Sequence, residues 1–437
     1  MKKIKRRAYS ALLVAFCLLI GMGVYIYRFS TQSERWVTFS ANQTVYADGK
    51  LITGTVTDRN GTVLSSVEGG RRVSADDPAL QIATLHAVGD AAGNIGTGAL
   101  SAFSDRLSGY SPVTGLSADG VTVALSIDAE LCAVAYDALA GRRGAVLVSD
   151  YTTGEIICMT SSPSYDPDAG FDLNDSRFEG AYLNRCLSST YPPGSVFKLV
   201  TMAAAIENIP DLPERRFTCA GSTVVDGNEI HCTGVHGEQT IEQALANSCN
   251  CAFAELALEL GGKTLEKYAD KFGFVGQLTL DGIYTAPGKF EAAEDGSAAL
   301  AWSGIGQSTD LITPYAMLRY VSAIGNGGNL AEPTLLAGEK VKTQKLLSAD
   351  TAKQLKAMMN YNVVYSYGTW NFPGLTKLCA KSGTAEVGDG TSHAWFTGFL
   401  DDPAHPYAFA VLVENAGGGA RNAGPIANTV LQAAVQK

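Results

Sequence analysis

The fold is decided by the stretch Tyr191-Pro192-Pro193-Gly194-Ser195-Val196-Phe197-Lys198-Leu199-Val200. Its prolines and glycine end one segment and begin a helix. Ser195 and Lys198 are three residues apart, so their side chains are expected on one side of that helix. A lysine can act as the base for a serine nucleophile when burial or a nearby cation favours its neutral form. On its own, the pair can equally be an N-capping serine and a solvated lysine.

Two more motifs lie further along the chain. Ser248-Cys249-Asn250 follows a helical stretch over 241–247, and Lys381-Ser382-Gly383-Thr384 lies in a β-like run. In order, Ser-x-x-Lys, Ser-x-Asn and Lys-Ser-Gly match the motif trio of penicillin-binding proteins and class A β-lactamases. Three short motifs on the expected helix, loop and strand are far more specific than any one of them.

The resemblance extends beyond the trio and is to class B penicillin-binding proteins. It covers roughly residues 50–437 and is densest from 121 onward. The stretches that carry it are 57–61, 144–164, 184–200, 236–237, 304–307 with 313–314, and 394–398. The short N-terminal segment is similar to that of the small-pedestal subgroup often called penicillin-binding protein A.

The resemblance implies an α/β (α+β) fold of the penicillin-binding and serine β-lactamase kind. Such a domain has a central antiparallel sheet, helices on both of its faces and a helical subdomain. The chain pattern agrees, because strand-like runs near both ends of the segment flank a largely helical region over 195–270.

The expected domains follow the same pattern. We expect the transpeptidase domain over 121–437, with its first strand at 121–127, and a small pedestal domain over 28–120. Within that pedestal, 28–50 is polar and is interpreted as a linker.

The catalytic roles come from the resemblance. Ser195 would attack the carbonyl of the penultimate D-alanine of a peptidoglycan stem peptide, and Lys198 would take the serine proton. Ser248 and Lys381 would relay a proton to the departing D-alanine. Asn250 would orient Lys198 and bond the substrate amide.

The substrate-binding roles also come from the resemblance. Ser382, Gly383 and Thr384 would line the substrate and oxyanion site, with the backbone N–H groups of Ser195 and Thr384 forming the oxyanion hole. Thr384 would help to hold the substrate carboxylate, and Lys381 would add positive potential there. An amine from a second stem peptide would accept the acyl group, and β-lactam antibiotics would acylate the same serine.

Other functions remain open at this point. A class A β-lactamase needs a Glu-x-x-Leu-Asn motif, which is not found between Asn250 and Lys381, and a class D enzyme has valine where Asn250 stands. A β-lactam sensor would need more membrane spans, and intact motif residues oppose a dead scaffold. D-alanyl carboxypeptidation differs from cross-linking only in the acceptor, so the catalytic residues do not decide it; class B resemblance favours cross-linking.

A membrane anchor is expected at 8–27. These 20 residues carry no charge, and as a helix they would span about 30 Å, the thickness of the hydrocarbon core. The basic tail over 1–7 would stay in the cytoplasm and the catalytic domain would be exported. A cleaved signal peptide is the alternative, although no Ala-x-Ala follows promptly.

Composition excludes several partners. The net charge is −10, and five of the positive charges lie in residues 1–7, so the remaining body is too acidic for general nucleic-acid binding. With five histidines, no HExxH and no CxxC pair, we expect no metal site and no cofactor. Residues 28–120 are too few for a glycosyltransferase domain, so the resemblance implies a polytopic partner of the shape, elongation, division and sporulation (SEDS) family.

One disulfide has a local argument. Cys219 and Cys232 flank a run with Asp226-Gly227 at its centre, which predicts a β-hairpin. Both cysteines would then lie near the open end of the hairpin, within disulfide reach. Two reduced thiols are the alternative.

Overall fold

The computed structural model describes residues 2–39, 42–43, 45–47, 50–117, 120–375, 377–388 and 390–437. The elements of its N-terminal part are α1 (Lys2–Val37), β1 (Tyr46–Ala47), β2 (Lys50–Leu51), β3 (Thr55–Thr57), β4 (Val63–Glu68), β5 (Arg71–Ser74), α2 (Pro78–Val88), α3 (Ala99–Ala102), α4 (Ser104–Ser108) and β6 (Thr122–Ala124).

Helix α1 is the candidate membrane span. By length and composition it can cross a membrane, and its most apolar window is not buried against any part of the protein that the structure describes. The helix begins before and ends well after the span expected at 8–27. Residues 28–37, interpreted from the sequence as linker, are helical.

A four-stranded sheet forms the body of the N-terminal part, in the order β5-β4-β3-β6. β3 pairs antiparallel with β4 and parallel with β6. The strand expected at 121–127 therefore forms, but it lies in this smaller sheet beside β3. The sheet extends across the boundary expected at 120/121, because β6 pairs with the edge of β3 that β4 leaves free.

The elements of the remaining chain are α5 (Ala129–Leu139), β7 (Gly144–Asp150), β8 (Ile156–Ser162), α6 (Lys198–Asn208), β9 (Phe217–Cys219), β10 (Ser222–Val225), β11 (Asn228–His231), β12 (Gly237–Gln239), α7 (Ile241–Ala246), α8 (Asn250–Leu260), α9 (Gly262–Lys271), β13 (Thr279–Leu280), β14 (Ile283–Tyr284), α10 (Ala298–Ile305), α11 (Pro314–Gly325), β15 (Asn329–Ala331), β16 (Thr343–Lys345), α12 (Ala349–Asn362), β17 (Leu378–Glu386), β18 (Ser392–Leu400), β19 (Tyr407–Val413), α13 (Gly419–Asn422) and α14 (Gly424–Val435).

The central sheet has five strands in the order β17-β18-β19-β7-β8, and every neighbouring pair is antiparallel. Successive residues along β8 are all buried, as are nearly all of those in β7, so both faces of the sheet are covered. Helices α5 and α14 pack together against the sheet, and α11 and α12 form another packed pair against it. The expectation of a central antiparallel sheet between helices is confirmed.

The hairpin predicted around Asp226-Gly227 is present over 222–231, with Asp226 and Gly227 at positive φ in its turn. The disulfide expected at its open end is not formed: all nine cysteines lie among the described residues, and all nine are free. Cys219 leaves the hairpin and pairs with Gly237 in a separate two-stranded ladder. Its sulfur lies 3.6 Å from that of Cys251, whereas the sulfur of Cys232 lies 3.8 Å from that of Cys249.

Candidate active site

Ser195 lies in a single 3-10 turn, Gly194–Val196, just before α6 begins at Lys198. The turn fits against strand β17 only because residue 194 is glycine. Its φ is +55°, and a Cβ there would lie 2.6 Å from the carbonyl oxygen of Thr384. The Ser195 side chain is half-buried at this junction of turn and strand.

Lys198 is fully buried, and its ammonium is held by the second motif. Its Nζ donates to the carbonyl oxygen of Ser248 at 2.6 Å, to Asn250 Oδ1 at 2.7 Å and to Ser248 Oγ at 3.2 Å. Burial lowers the pKa of Lys198 to about 8, although nearby cysteines oppose the shift. A lysine with that pKa can lose its proton near neutral pH, which a general base requires.

Ser248 stands between two lysines. Its Oγ is 3.2 Å from Lys198 Nζ and 3.0 Å from Lys381 Nζ, so one hydroxyl links the first motif to the third. The backbone of Ser248 has φ +52°, a left-handed conformation that costs a non-glycine residue about 1–2 kcal/mol. We interpret this strained conformation as the local cost of placing the hydroxyl at this point.

Asn250 is fixed at the start of α8. Its side-chain amide donates to the carbonyl oxygen of His231 at 2.8 Å, which leaves Oδ1 to accept from Lys198. Its backbone N–H donates to Cys232 Sγ at 3.2 Å. The Ser-x-Asn loop is therefore tied to the segment that follows the hairpin.

Strand β17 carries the third motif. Lys381 is fully buried, and burial together with the nearby cation of Lys198 lowers its pKa well below the ordinary value. Gly383 permits close packing, since a Cβ there would lie 3.0 Å from the carbonyl oxygen of Pro193 and 3.1 Å from Val196. Thr384 is exposed beside the Ser195 turn.

Two side chains around β17 were not expected from the sequence. The hydroxyl of Tyr367 accepts from the backbone N–H of Ser382 at 2.8 Å and donates to Ser382 Oγ at 3.1 Å. Asn362 donates to the carbonyl oxygen of Ala380 at 3.0 Å. Both belong to the end of α12 and the turn after it, and no local pattern in the sequence marks them.

A third supporting side chain is that of Trp395. It is fully buried in β18, and its indole N–H donates to the carbonyl oxygen of Pro192 at 3.0 Å. The bond ties the start of the Ser195 turn to the sheet. Nearby, Glu414 accepts hydrogen bonds from Arg185 and from Tyr191, each at 2.7 Å. These bonds fix the segment that leads into the Ser195 turn.

All eight sequence-predicted site residues thus lie at one junction of α6, the loop before α8, and β17. The contacts join Lys198, Ser248, Asn250 and Lys381 directly, while Ser195 and Thr384 meet through the backbone at Gly194. A serine beside a buried lysine, a second lysine and a helix N-terminus suits acyl transfer. The fold and this grouping define the class of serine acyltransferases that react with penicillin.

Comparisons with known proteins agree. The family model described as the penicillin binding protein transpeptidase domain matches residues 144–432. Peptidoglycan D,D-transpeptidase PbpA of Mycobacterium tuberculosis is 31% identical over 334 residues, which cover 67% of each chain. The chain belongs to the penicillin-binding protein transpeptidase family, and its similarity to PbpA confirms the expected class B resemblance.

Solved structures give the same result. The D,D-transpeptidase domain of a peptidoglycan glycosyltransferase from Eggerthella lenta has a TM-score of 0.76 and 26% identity, covering 88% of this chain and 98% of that one. Penicillin-binding protein A of M. tuberculosis, solved as a ceftriaxone acyl-enzyme complex, has a TM-score of 0.74 and 26% identity, again with 88% and 98% coverage. The expected transpeptidase fold is therefore confirmed.

Proposed function

We propose that this protein is a membrane-anchored peptidoglycan D,D-transpeptidase that cross-links stem peptides through an acyl-enzyme on Ser195. The observation that carries the proposal is the position of Ser248 Oγ, which lies within hydrogen-bond distance of both Lys198 Nζ and Lys381 Nζ. That arrangement offers one proton path from the nucleophile's side of the site to the leaving group's side.

In the acylation step, Ser195 attacks the carbonyl of the penultimate D-alanine and its proton passes to neutral Lys198. Asn250 and Ser248 hold the lysine in place for this transfer. The backbone N–H groups of Ser195 and Thr384 stabilise the oxyanion. The proton then reaches the departing D-alanine through Ser248, with Lys381 as the neighbouring acid.

The rim of the site recognises the substrate and the acceptor. Thr384, exposed on β17, binds the terminal carboxylate, with Ser382 and Gly383 beside it. Asn250 also bonds the substrate amide. In the second step, an amine of another stem peptide attacks the ester and releases Ser195. β-Lactams acylate the same serine.

The candidate span α1 suggests a membrane anchor. For its orientation, we propose that the basic residues before the apolar stretch keep the N-terminus in the cytoplasm and place the catalytic body outside. A polytopic SEDS-family glycosyltransferase would supply the glycan strands, since the pedestal is too small to polymerise them.

Labelling with fluorescent penicillin tests the nucleophile. The full chain in detergent is followed over time beside Ser195→Ala, with Ser189→Ala as a matched control six residues earlier in the chain. A stable covalent band in wild type and Ser189→Ala, absent from Ser195→Ala, supports the proposal. Labelling that persists in folded Ser195→Ala contradicts it, and a band that fades quickly favours a β-lactamase.

Product analysis distinguishes transpeptidation from D-alanyl carboxypeptidation, the remaining alternative. The full chain is given a donor stem pentapeptide with and without an amine acceptor, and the products are resolved by mass spectrometry. A cross-linked product supports transpeptidation. Release of D-alanine with only the hydrolysed tetrapeptide would assign a D-alanyl carboxypeptidase instead.

A further inference from the structure

Four side chains, of which the sequence connected only Cys219 and Cys232, meet beside the Ser-x-Asn loop. Cys219 ends β9, Cys232 follows β11, His236 precedes β12 and Cys249 caps the start of α8. Their sulfur and ring-nitrogen atoms all lie within 4.8 Å of one another. Three thiols and one imidazole therefore face a single point.

Two of the separations match the edges of a metal-centred tetrahedron. Cys232 Sγ lies 3.8 Å from Cys249 Sγ and 3.6 Å from His236 Nδ1. With zinc–sulfur bonds of about 2.3 Å and zinc–nitrogen bonds of about 2.0–2.1 Å, a tetrahedral site places two sulfurs about 3.8 Å apart and a sulfur and a nitrogen about 3.5 Å apart. Both observed distances agree with this geometry.

The surroundings suit a closed site. Cys219 and Cys249 are buried, whereas Cys232 and His236 are half-buried. A bound metal ion would therefore be shielded from solvent on most sides. The backbone N–H of Asn250 donates to Cys232 Sγ at 3.2 Å, the kind of outer contact that supports a thiolate ligand. A fourth thiol, Cys251, lies against Cys219 at 3.6 Å.

We propose that Cys219, Cys232, His236 and Cys249 bind one zinc ion as a structural site. Thiolates and imidazole in a tetrahedral set select zinc, and four protein ligands leave no open position for a substrate. Binding releases a proton from each thiol that becomes a ligand. The sequence patterns did not predict this site, because the ligands come from three separate segments (the end of β9, the loop between β11 and β12, and the start of α8) and form neither a CxxC pair nor an HExxH helix.

The zinc site is independent of the proposed reaction but adjoins its machinery. Cys249 is the middle residue of Ser248-Cys249-Asn250, and both of its neighbours bind Lys198. A metal on Cys249 and Cys232 would hold the loop through its middle residue. These cysteines and His236 are thus positioning residues, and loss of the metal is expected to loosen the Ser-x-Asn loop.

The first experiment measures metal content. The full chain is purified from membranes in detergent without chelators and analysed by inductively coupled plasma mass spectrometry. We expect about one zinc per chain in wild type and in Cys186→Ser, a buried thiol outside the cluster. Cys219→Ser and His236→Ala are expected to lose most of it. Wild type without stoichiometric zinc, or with a different metal, overturns the proposal.

A second experiment does not depend on the folding of variants. The wild-type chain is stripped with a chelator and titrated with Co²⁺, and tetrahedral cobalt with a thiolate-to-cobalt charge-transfer band at one equivalent is the expected result. In parallel, native protein is alkylated under denaturing, non-reducing conditions with chelator present. Free Cys219, Cys232 and Cys249 support the proposal, whereas a disulfide among them overturns it.

Discussion

Ser248 combines backbone strain with a central place in the proton path. Its φ of +52° is unfavourable for serine, yet its hydroxyl bridges Lys198 and Lys381. Glycine at this position would relax the backbone and remove the hydroxyl at the same time. Thermal unfolding reports the relaxed backbone and the acylation rate reports the lost hydroxyl, so one variant tests both effects.

We predict that Ser248→Gly slows acylation by penicillin about 10²–10⁴-fold, because general acid–base catalysis contributes on that scale. Its melting temperature should stay equal to that of wild type or rise, since the left-handed strain is relieved. Stopped-flow acylation and thermal unfolding check both statements. Ala140→Gly, which relieves a similar conformation (φ 51°) at the end of α5, is the control and should acylate normally. Normal acylation by Ser248→Gly would remove Ser248 from the path.

Asp310 gives a pH-dependent prediction for stability. Burial raises the pKa of its carboxyl to about 8, and the neighbouring Ser303 hydroxyl opposes this shift only in part. The folded protein therefore holds this proton more tightly than the unfolded chain does. Its stabilising contribution is present at low pH and is lost as pH rises toward 8, by up to about 1.4 kcal/mol per pH unit.

Asp310→Asn is accordingly expected to melt higher than wild type at pH 9, with the difference shrinking as the pH falls to 6. Thermal unfolding of the two proteins in matched buffers measures the difference. A constant difference across this range would mean that Asp310 is not the titrating group.

At the scale of elements, the contact between strand β17 and the turn of Ser195 sets the geometry of the site. Gly383→Ala is expected to push the strand away from the turn, since its Cβ would crowd Pro193 and Val196. Overpacking of this kind costs about 1–3 kcal/mol, so the variant should fold with a lower melting temperature and acylate more slowly. Gly418→Ala, where an added Cβ meets nothing within 4 Å, is the control. Equal acylation by both variants would contradict the argument.

The same scale explains what the sequence can and cannot predict. The three motifs are local, and each lies on a recognisable turn, loop or strand. Ser195, Asn250 and Lys381 can therefore be predicted from the sequence alone. The hydroxyl of Tyr367, from the turn after α12, accepts from the backbone N–H of Ser382, and no sequence spacing predicts that contact. The strand at β6 was also predicted, but its pairing with β3 was not, because tertiary packing decides which strands become neighbours in a sheet.

At the scale of the molecule, the apolar window of α1 contributes no buried surface to the catalytic body. We predict that removal of residues 1–30 moves the protein from the membrane fraction to the soluble fraction. Penicillin acylation should persist at about the wild-type rate, because the site lies entirely in later elements. Fractionation followed by fluorescent labelling measures both properties. A truncated chain that stays with membranes would point to a second attachment.

The central sheet also constrains how the chain acquires its shape. β7 and β8 end by residue 162, yet β7 pairs with β19, which is not reached until residue 407. On the proposed topology, a chain threaded outward from its N-terminus delivers the first strands long before their neighbour. The catalytic sheet can close only after nearly all of the polypeptide has left the translocation channel. During that interval the edge of β7 that will pair with β19 stays unpaired, and an interrupted export would leave no partial enzyme for an antibiotic to titrate.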